Sequence, residues 1–179
     1  MIIEIGTSDF RTQAGKRDGL FIEPVKAYFD RLPICRKENV AISNKEGNIL
    51  IYYISPDKIE KYNLPNWVRG CNSIEQVHPS IIDYGFEHHV SAELVKVVRI
   101  KDLIKKYDIK KIDHLKIDTE GHDCVILNDF LDTVDITPTI IQFESNSLSN
   151  IDDVTNVVNR LQKIGYHCEQ IEFDMVCRL

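Results

Sequence analysis

The stretch Ile112-Asp113-His114-Leu115-Lys116-Ile117-Asp118-Thr119-Glu120-Gly121-His122-Asp123 decides how this chain is read. Ile112–Ile117 is apolar around polar breaks, as a buried strand is, and it ends in charge. Two acids and a histidine then follow within five residues. Asp118 and Glu120 suit a base or a metal ligand, and so does His122. A plainer reading has Asp118 and Thr119 capping the next helix, with Glu120 placed well near its positive end. Cys124, Leu127 and Leu131 mark the face of that helix. Capping alone does not call for so charged a strand end, so both roles are expected here.

Outward from this stretch, strands and helices alternate. Ile2, Ile3 and Ile5 form a first strand that stops at Gly6, and Leu20-Phe21-Ile22 a second that stops at Glu23-Pro24. Val25, Tyr28, Phe29 and Leu32 fall on one helix face, which Pro33 ends. Val40-Ala41-Ile42 reads as a third strand, and Ile49–Ile54 returns after a turn at Asn44–Asn48. Val95–Ile100 is extended and Asp102–Tyr107 a short helix. Downstream come a strand at Thr139–Phe143 and a helix bearing Val154, Val157, Val158 and Leu161. Asp152 or Asp153 is its expected cap and Gly165 its stop, and a closing hairpin spans Tyr166–Arg178. This order predicts a single α/β domain over residues 1–179, built on a mostly parallel sheet whose ligands bind at the carboxyl ends of the strands. Residues 55–93 are the least periodic and are expected to be an irregular insert able to act as a substrate lid through Trp67, Arg69, His78, His88 and His89, although ordinary packing is the favoured role of Trp67 and a surface or structural place the common one for each histidine.

Composition sets the outer bounds. The chain has 179 residues, 43% hydrophobic and 28% charged, which is ordinary for one globular domain. The longest apolar run, Ile49–Ile54, is far too short to span a bilayer. Net charge is −6, with residues 112–179 carrying 4 Lys/Arg against 13 Asp/Glu. The richest basic stretch, Lys96–Lys111, reads as a solvated helix face, so duplex nucleic acid is not an expected partner. Five cysteines without a CxxC pair, and an N-terminus without a basic or cleavage signal, predict free thiols in a reduced, cytoplasmic protein.

The first two strand ends suggest a cofactor. Gly6, followed by Thr7 and Ser8, permits a tight turn and close approach of a ligand to the backbone. Glu23, aimed by Pro24, is an acceptor suited to both hydroxyls of a ribose. The G-x-G-x-x-G fingerprint of a pyrophosphate site is absent, which favours a nucleoside cofactor without phosphates, such as S-adenosylmethionine.

Taken together, the chain resembles the FkbM family of S-adenosylmethionine-dependent methyltransferases. Leu115–Asp123 with Val125, Ile126 and Leu127 is similar to that family's most recognisable stretch. Glu4-Ile5-Gly6, Phe21-Ile22-Glu23-Pro24, Asn39–Ser43 with Gly47, Gly70–Ile74 and Val97–Lys105 extend the likeness over nearly the whole chain. The resemblance implies a Rossmann-like class I methyltransferase fold, with a seven-stranded, mostly parallel sheet and an antiparallel C-terminal hairpin. It implies Glu4, Gly6, Thr7 and Ser8 around the methionine part of the cofactor, Glu23 and Pro24 at the ribose, and Ala41 and Ile42 at the adenine. Asp118, also next to the cofactor, would join Glu120 and His122 in facing the transferred methyl. The implied activity is O-methylation of a sugar or glycan hydroxyl. In this chain Phe10 stands where the family's cofactor loop has a second glycine. The Gly6–Gly19 linker is short for a helix, and the fold is expected to be N-terminally minimal. These departures support an alternative, a non-catalytic cofactor-binding or interaction module of the same fold, and an uncovered cleft leaves room for a homodimer. A hydroxyl needs a base or a metal to become a nucleophile. Asp118 or His122 is the favoured base. A divalent metal on Asp118, Glu144 and Asn146 is the less favoured route.

Overall fold

The computed structural model describes residues 1–179. In chain order the elements are β1 (Ile2–Ile5), β2 (Gly19–Ile22), α1 (Lys26–Phe29), β3 (Lys37–Glu38), β4 (Ala41–Ile42), β5 (Gly47–Tyr53) and α2 (Pro56–Lys61). Then come β6 (Ser73–Ile74), α3 (Pro79–Asp83), β7 (Ser91–Val98), α4 (Ile100–Lys106), β8 (His114–Ile117) and α5 (Asp123–Thr133). The chain closes with β9 (Ile140–Glu144), α6 (Ile151–Ile164), β10 (His167–Ile171) and β11 (Asp174–Arg178).

The main sheet has seven strands in the order β10-β11-β9-β8-β1-β2-β3. Pairings from β3 through β9 are parallel, and β11 runs antiparallel to both β9 and β10. The mostly parallel sheet with an antiparallel C-terminal hairpin is therefore present as expected. β1 is buried along its whole length because it lies mid-sheet with both faces covered. Ile3 and Ile5 join Leu20, Leu115, Ile117, Ile141 and Phe143 in a core of 24 residues, sealed by Leu103, Ile126, Phe130, Val157 and Leu161 from α4, α5 and α6. On the opposite face Ile2, Ala14, Phe21 and Leu32 form a smaller cluster beneath the β1–β2 connection. Residues 6–18 carry no helix, so there a loop does the covering.

Four expectations need correction. Val40–Ile42 does not extend the main sheet. Lys37–Glu38 does, and the Asn39 side chain donates to the Glu23 and Pro24 carbonyls (2.9 and 2.8 Å), turning the chain away. Ala41–Ile42 then enters a second, four-stranded sheet, β4-β7-β5-β6, which also takes the strand foreseen at Ile49–Ile54. Second, residues 55–93, expected as an irregular insert, carry short regular elements. They hold α2, α3 and two 3-10 turns around Ile54, Ile59, Val68, Cys71 and Ile81. Third, the cysteines are not all free, because the hairpin register sets Cys168 opposite Cys177 and a disulfide joins them. Fourth, the cap of α6 is Asn150 rather than Asp152 or Asp153: its Oδ1 accepts from the amides of both, and Gly165 ends the helix as expected. No helix is long and apolar enough to cross a membrane.

Candidate active site

A cleft of about 550 Å³ opens at the carboxyl ends of β1, β2 and β8. The chain proceeds from β1 to β2 on one side and returns to β8 on the other, so this is the switch point where open parallel sheets bind ligands. Gly6 makes the meeting of β1 and β8 sterically feasible. Its φ is +80°, and a Cβ there would lie 1.8 Å from the Asp118 carbonyl oxygen.

One wall of the cleft is built on Glu23, which is only 2% exposed. Its Oε2 accepts from the Ser8 amide (2.6 Å) and the Thr7 hydroxyl (3.5 Å), and its Oε1 from the Val25 amide (2.8 Å). Glu23 therefore anchors the loop after β1, and Oε1 keeps an acceptor position for a ligand. Burial pushes its carboxyl up to about 7, against the pull of those donors. Gly6, Ser8, Pro24, Ala41 and Ile42 line the cleft beside it. Glu4 and Thr7, 0% and 1% exposed, stand behind this wall. Glu4 accepts from the Thr12 hydroxyl (3.0 Å), the Gln13 amide (2.9 Å) and Lys116 Nζ (3.2 Å), and so holds the loop that replaces a helix. Phe10 lies on the cleft surface.

Asp118, Thr119, Glu120 and His122 form the facing wall, with Glu144 from the end of β9. Lys116 Nζ bridges Glu4 and Asp118, at 3.2 and 3.3 Å. Glu120 takes a left-handed φ of +54°, a local strain, whereas Gly121 at +97° carries none because it lacks a Cβ. Burial raises the Glu120 carboxyl. His78 Nε2 lies 3.1 Å from its Oε2, and His78 Nδ1 accepts from the Ser80 amide (3.1 Å). That second bond puts the His78 proton on Nε2, which therefore donates to Glu120. His122 Nε2 is 3.0 Å from the Ser43 hydroxyl, and burial lowers its pKa, so its imidazole is neutral at neutral pH.

The capping expectation fails for a definite reason. α5 starts at Asp123, with no side-chain cap. Asp123 turns back instead, accepting from the amide and hydroxyl of Thr119 and, through Oδ2, from the Glu144 amide (2.8 Å). Asp118, Glu120 and Glu144 present carboxylate oxygens all within 4.8 Å of one another. Asn146, expected beside Asp118 and Glu144, has its Oδ1 accepting from the Leu148 amide (2.8 Å) within its own loop. Glu144 Oε2 is buried without a partner, and burial with the neighbouring carboxylates pushes this group up to about 9.

Of the residues singled out in 55–93, His78 alone reaches the motif. Trp67 lines the cleft and packs on Tyr84 (5.0 Å between rings), while Arg69 holds Asp9 of the β1–β2 loop (2.7 Å). His88 and His89 pack on each other, 3.9 Å between rings, in a turn that does not line the cleft. Sequence reasoning missed Ser43, Asp123 and the pairing of His78 with Glu120. Ser43 and His78 meet their partners across 79 and 42 residues, so no local pattern signals them.

No curated protein and no solved structure matches this chain. A family model described as the methyltransferase FkbM domain matches residues 5–168, from the end of β1 into β10. The match spans both walls of the cleft and the sheet that carries them, and the chain belongs to the FkbM methyltransferase domain family.

Proposed function

We propose that this protein is an S-adenosylmethionine-dependent O-methyltransferase whose acceptor is a hydroxyl of a sugar or glycan. One observation carries the reading. A single cleft joins a nucleoside-like half, Glu23 with Ala41 and Ile42, to a proton-handling half, Asp118, Glu120 and His122. The strand order supports the Rossmann-like class I assignment, since the last strand is antiparallel and sits between the fifth and sixth strands of the main sheet.

The donor set suits the cofactor. Glu23 would accept from ribose hydroxyls, Val40, Ala41 and Ile42 offer apolar contact for the base, and Gly6 and Ser8 border the amino-acid part. When bound, S-adenosylmethionine supplies a methyl on a sulfonium, open to in-line displacement by an oxygen. The chain's own residues bring the oxygen into line and take its proton. Neutral His122, held through Nε2 by Ser43, has Nδ1 for that proton. Asp118, kept in place by Lys116, accepts a hydrogen bond from the hydroxyl and orients it. His78 fixes the rotamer of Glu120 beside them. Residues 55–93 cover this side of the cleft through Trp67 and Gly70 and serve as the lid that excludes water.

Calorimetric titration with S-adenosylhomocysteine tests the cofactor half. Glu23→Gln retains a hydrogen-bonding group but loses one acceptor oxygen and the charge. We expect about a tenfold to hundredfold weaker binding, the loss of one charge-assisted bond. Equal affinity in both proteins would remove Glu23 from the site. Transfer of labelled methyl to a hydroxyl compound by the wild type, abolished in His122→Ala, tests the catalytic half. Tight binding without any transfer would favour the non-catalytic module. A metal route on Asp118, Glu120 and Glu144 requires activity that a chelator removes.

A further inference from the structure

Behind the wall formed by the motif lies a second, smaller cavity of about 220 Å³. Ser73, Glu75, Gln76 and His78 line it on one side, and Glu120 and His122 on the other. Ile74, Glu120 and His122 also line the larger cleft, so these three side chains form a partition between the two spaces. Glu120 and His122 thus face two cavities, while Asp118 faces only the larger, which alone has a nucleoside-like wall.

The lining of the small cavity is mainly polar, and its charge is one-sided. Glu75 and Glu120 contribute carboxylates, while no Lys or Arg lines it. Its back is rigid: His78 is 6% exposed, tied at one nitrogen to the Ser80 amide and at the other to Glu120. Its mouth, at Glu75 and Gln76, is exposed. Carboxylates accept hydrogen bonds from hydroxyl or ammonium groups, and repel phosphates and carboxylates in a site that holds no compensating cation.

We infer that this cavity is the acceptor subsite, taking an uncharged or cationic polyhydroxyl group whose reacting hydroxyl meets the methyl donor at the Glu120–His122 partition, and turning away anionic acceptors. The assignment rests on the methyltransferase reading above.

Amide chemical shifts of the full chain, recorded with and without saturating S-adenosylhomocysteine, test it. The probes are methyl glucoside (neutral), glucosamine (cationic) and glucose 6-phosphate (anionic). The neutral and cationic probes should move the signals of Ser73–Gln76, Gly121 and His122, and the phosphate should not. Gln76→Trp fills the mouth and should weaken the neutral probe at least tenfold, leaving the S-adenosylhomocysteine shifts at Gly6 and Ala41 unchanged. Glu75→Lys should admit the phosphate. Neutral-probe shifts lying elsewhere or absent, equal shifts from the phosphate, or an unaffected Gln76→Trp protein would each overturn the subsite. Failure of the cofactor reading is separate, because S-adenosylhomocysteine would then leave Gly6 and Ala41 unmoved while the probe arms still decide the cavity.

Discussion

Asp123 is 1% exposed and receives the Thr119 amide and hydroxyl and the Glu144 amide on one carboxylate. It locks the turn after β8 to the end of β9, and with it the relative positions of Asp118, Glu120 and Glu144. Asparagine is nearly isosteric but turns one acceptor into a donor that faces an amide. Asp123→Asn should therefore cost about 2 kcal/mol, or roughly 4–8 °C in thermal midpoint for a domain of this size. Scanning calorimetry checks this, and an unchanged midpoint would show that the turn holds without the carboxylate. Gly6 imposes a comparable constraint without any hydrogen-bonding side chain, since at its φ of +80° the space a Cβ would need belongs to the Asp118 carbonyl.

Among the elements, the closing hairpin bears most directly on the cleft. The β10–β11 turn brings Glu172, Phe173 and Asp174 to the cleft lining, and Gln142 Nε2 donates to Asp174 (2.6 Å). The Cys168–Cys177 disulfide staples this hairpin across a sequence separation of 9. Closing so short a loop restricts the unfolded chain by roughly 2.5 kcal/mol on the chain-entropy account. Cys168→Ser, at the less buried partner, should lower the midpoint by about 5–10 °C. Wild type in reductant should fall by a similar amount, and a midpoint indifferent to both would mean that strand pairing alone holds the hairpin. Elsewhere the short β4 shows what an element does by leaving the main sheet. It carries Ala41 and Ile42 to the cleft beside Glu23 and Ser43 to His122.

At the scale of the whole molecule, the buried acids set the response to pH. Burial pushes Glu23 and Asp123 up to about 7 and Glu144 up to about 9, from ordinary values of 4.5, 3.8 and 4.5. An acid whose folded pKa is raised contributes stability at low pH that is lost as pH rises through the folded value, because the unfolded chain sheds its proton earlier. His114 and His122, lowered by burial, act in the opposite direction, but only below about 6.5, where the unfolded chain begins to bind their protons. Above pH 6.5 that opposition is gone: Glu23 and Asp123 still act up to about 7, and Glu144 alone from there to about 9. The thermal midpoint of the ligand-free protein should fall across this window, more steeply below about 7 than above it. A flat or rising profile would mean that the three carboxyls are better solvated than their burial implies.

The sequence by itself determined the alternation of strands and helices, the two strand ends at Gly6 and Glu23, and the charged end of β8. These are local matters: β-branched runs, helical spacing and glycine or proline punctuation act within a few residues. The likeness at Leu115–Asp123 also pointed to the family that the domain match shows. Only the tertiary structure decided which strands form the second sheet, that Asp123 braces the turn rather than capping α5, and that Cys168 faces Cys177. It alone gave Glu120 and His122 their partners, His78 and Ser43. Those contacts join residues 42 and 79 apart, and such pairings exist only once the packing of two sheets and the segment 55–93 has brought distant backbone together.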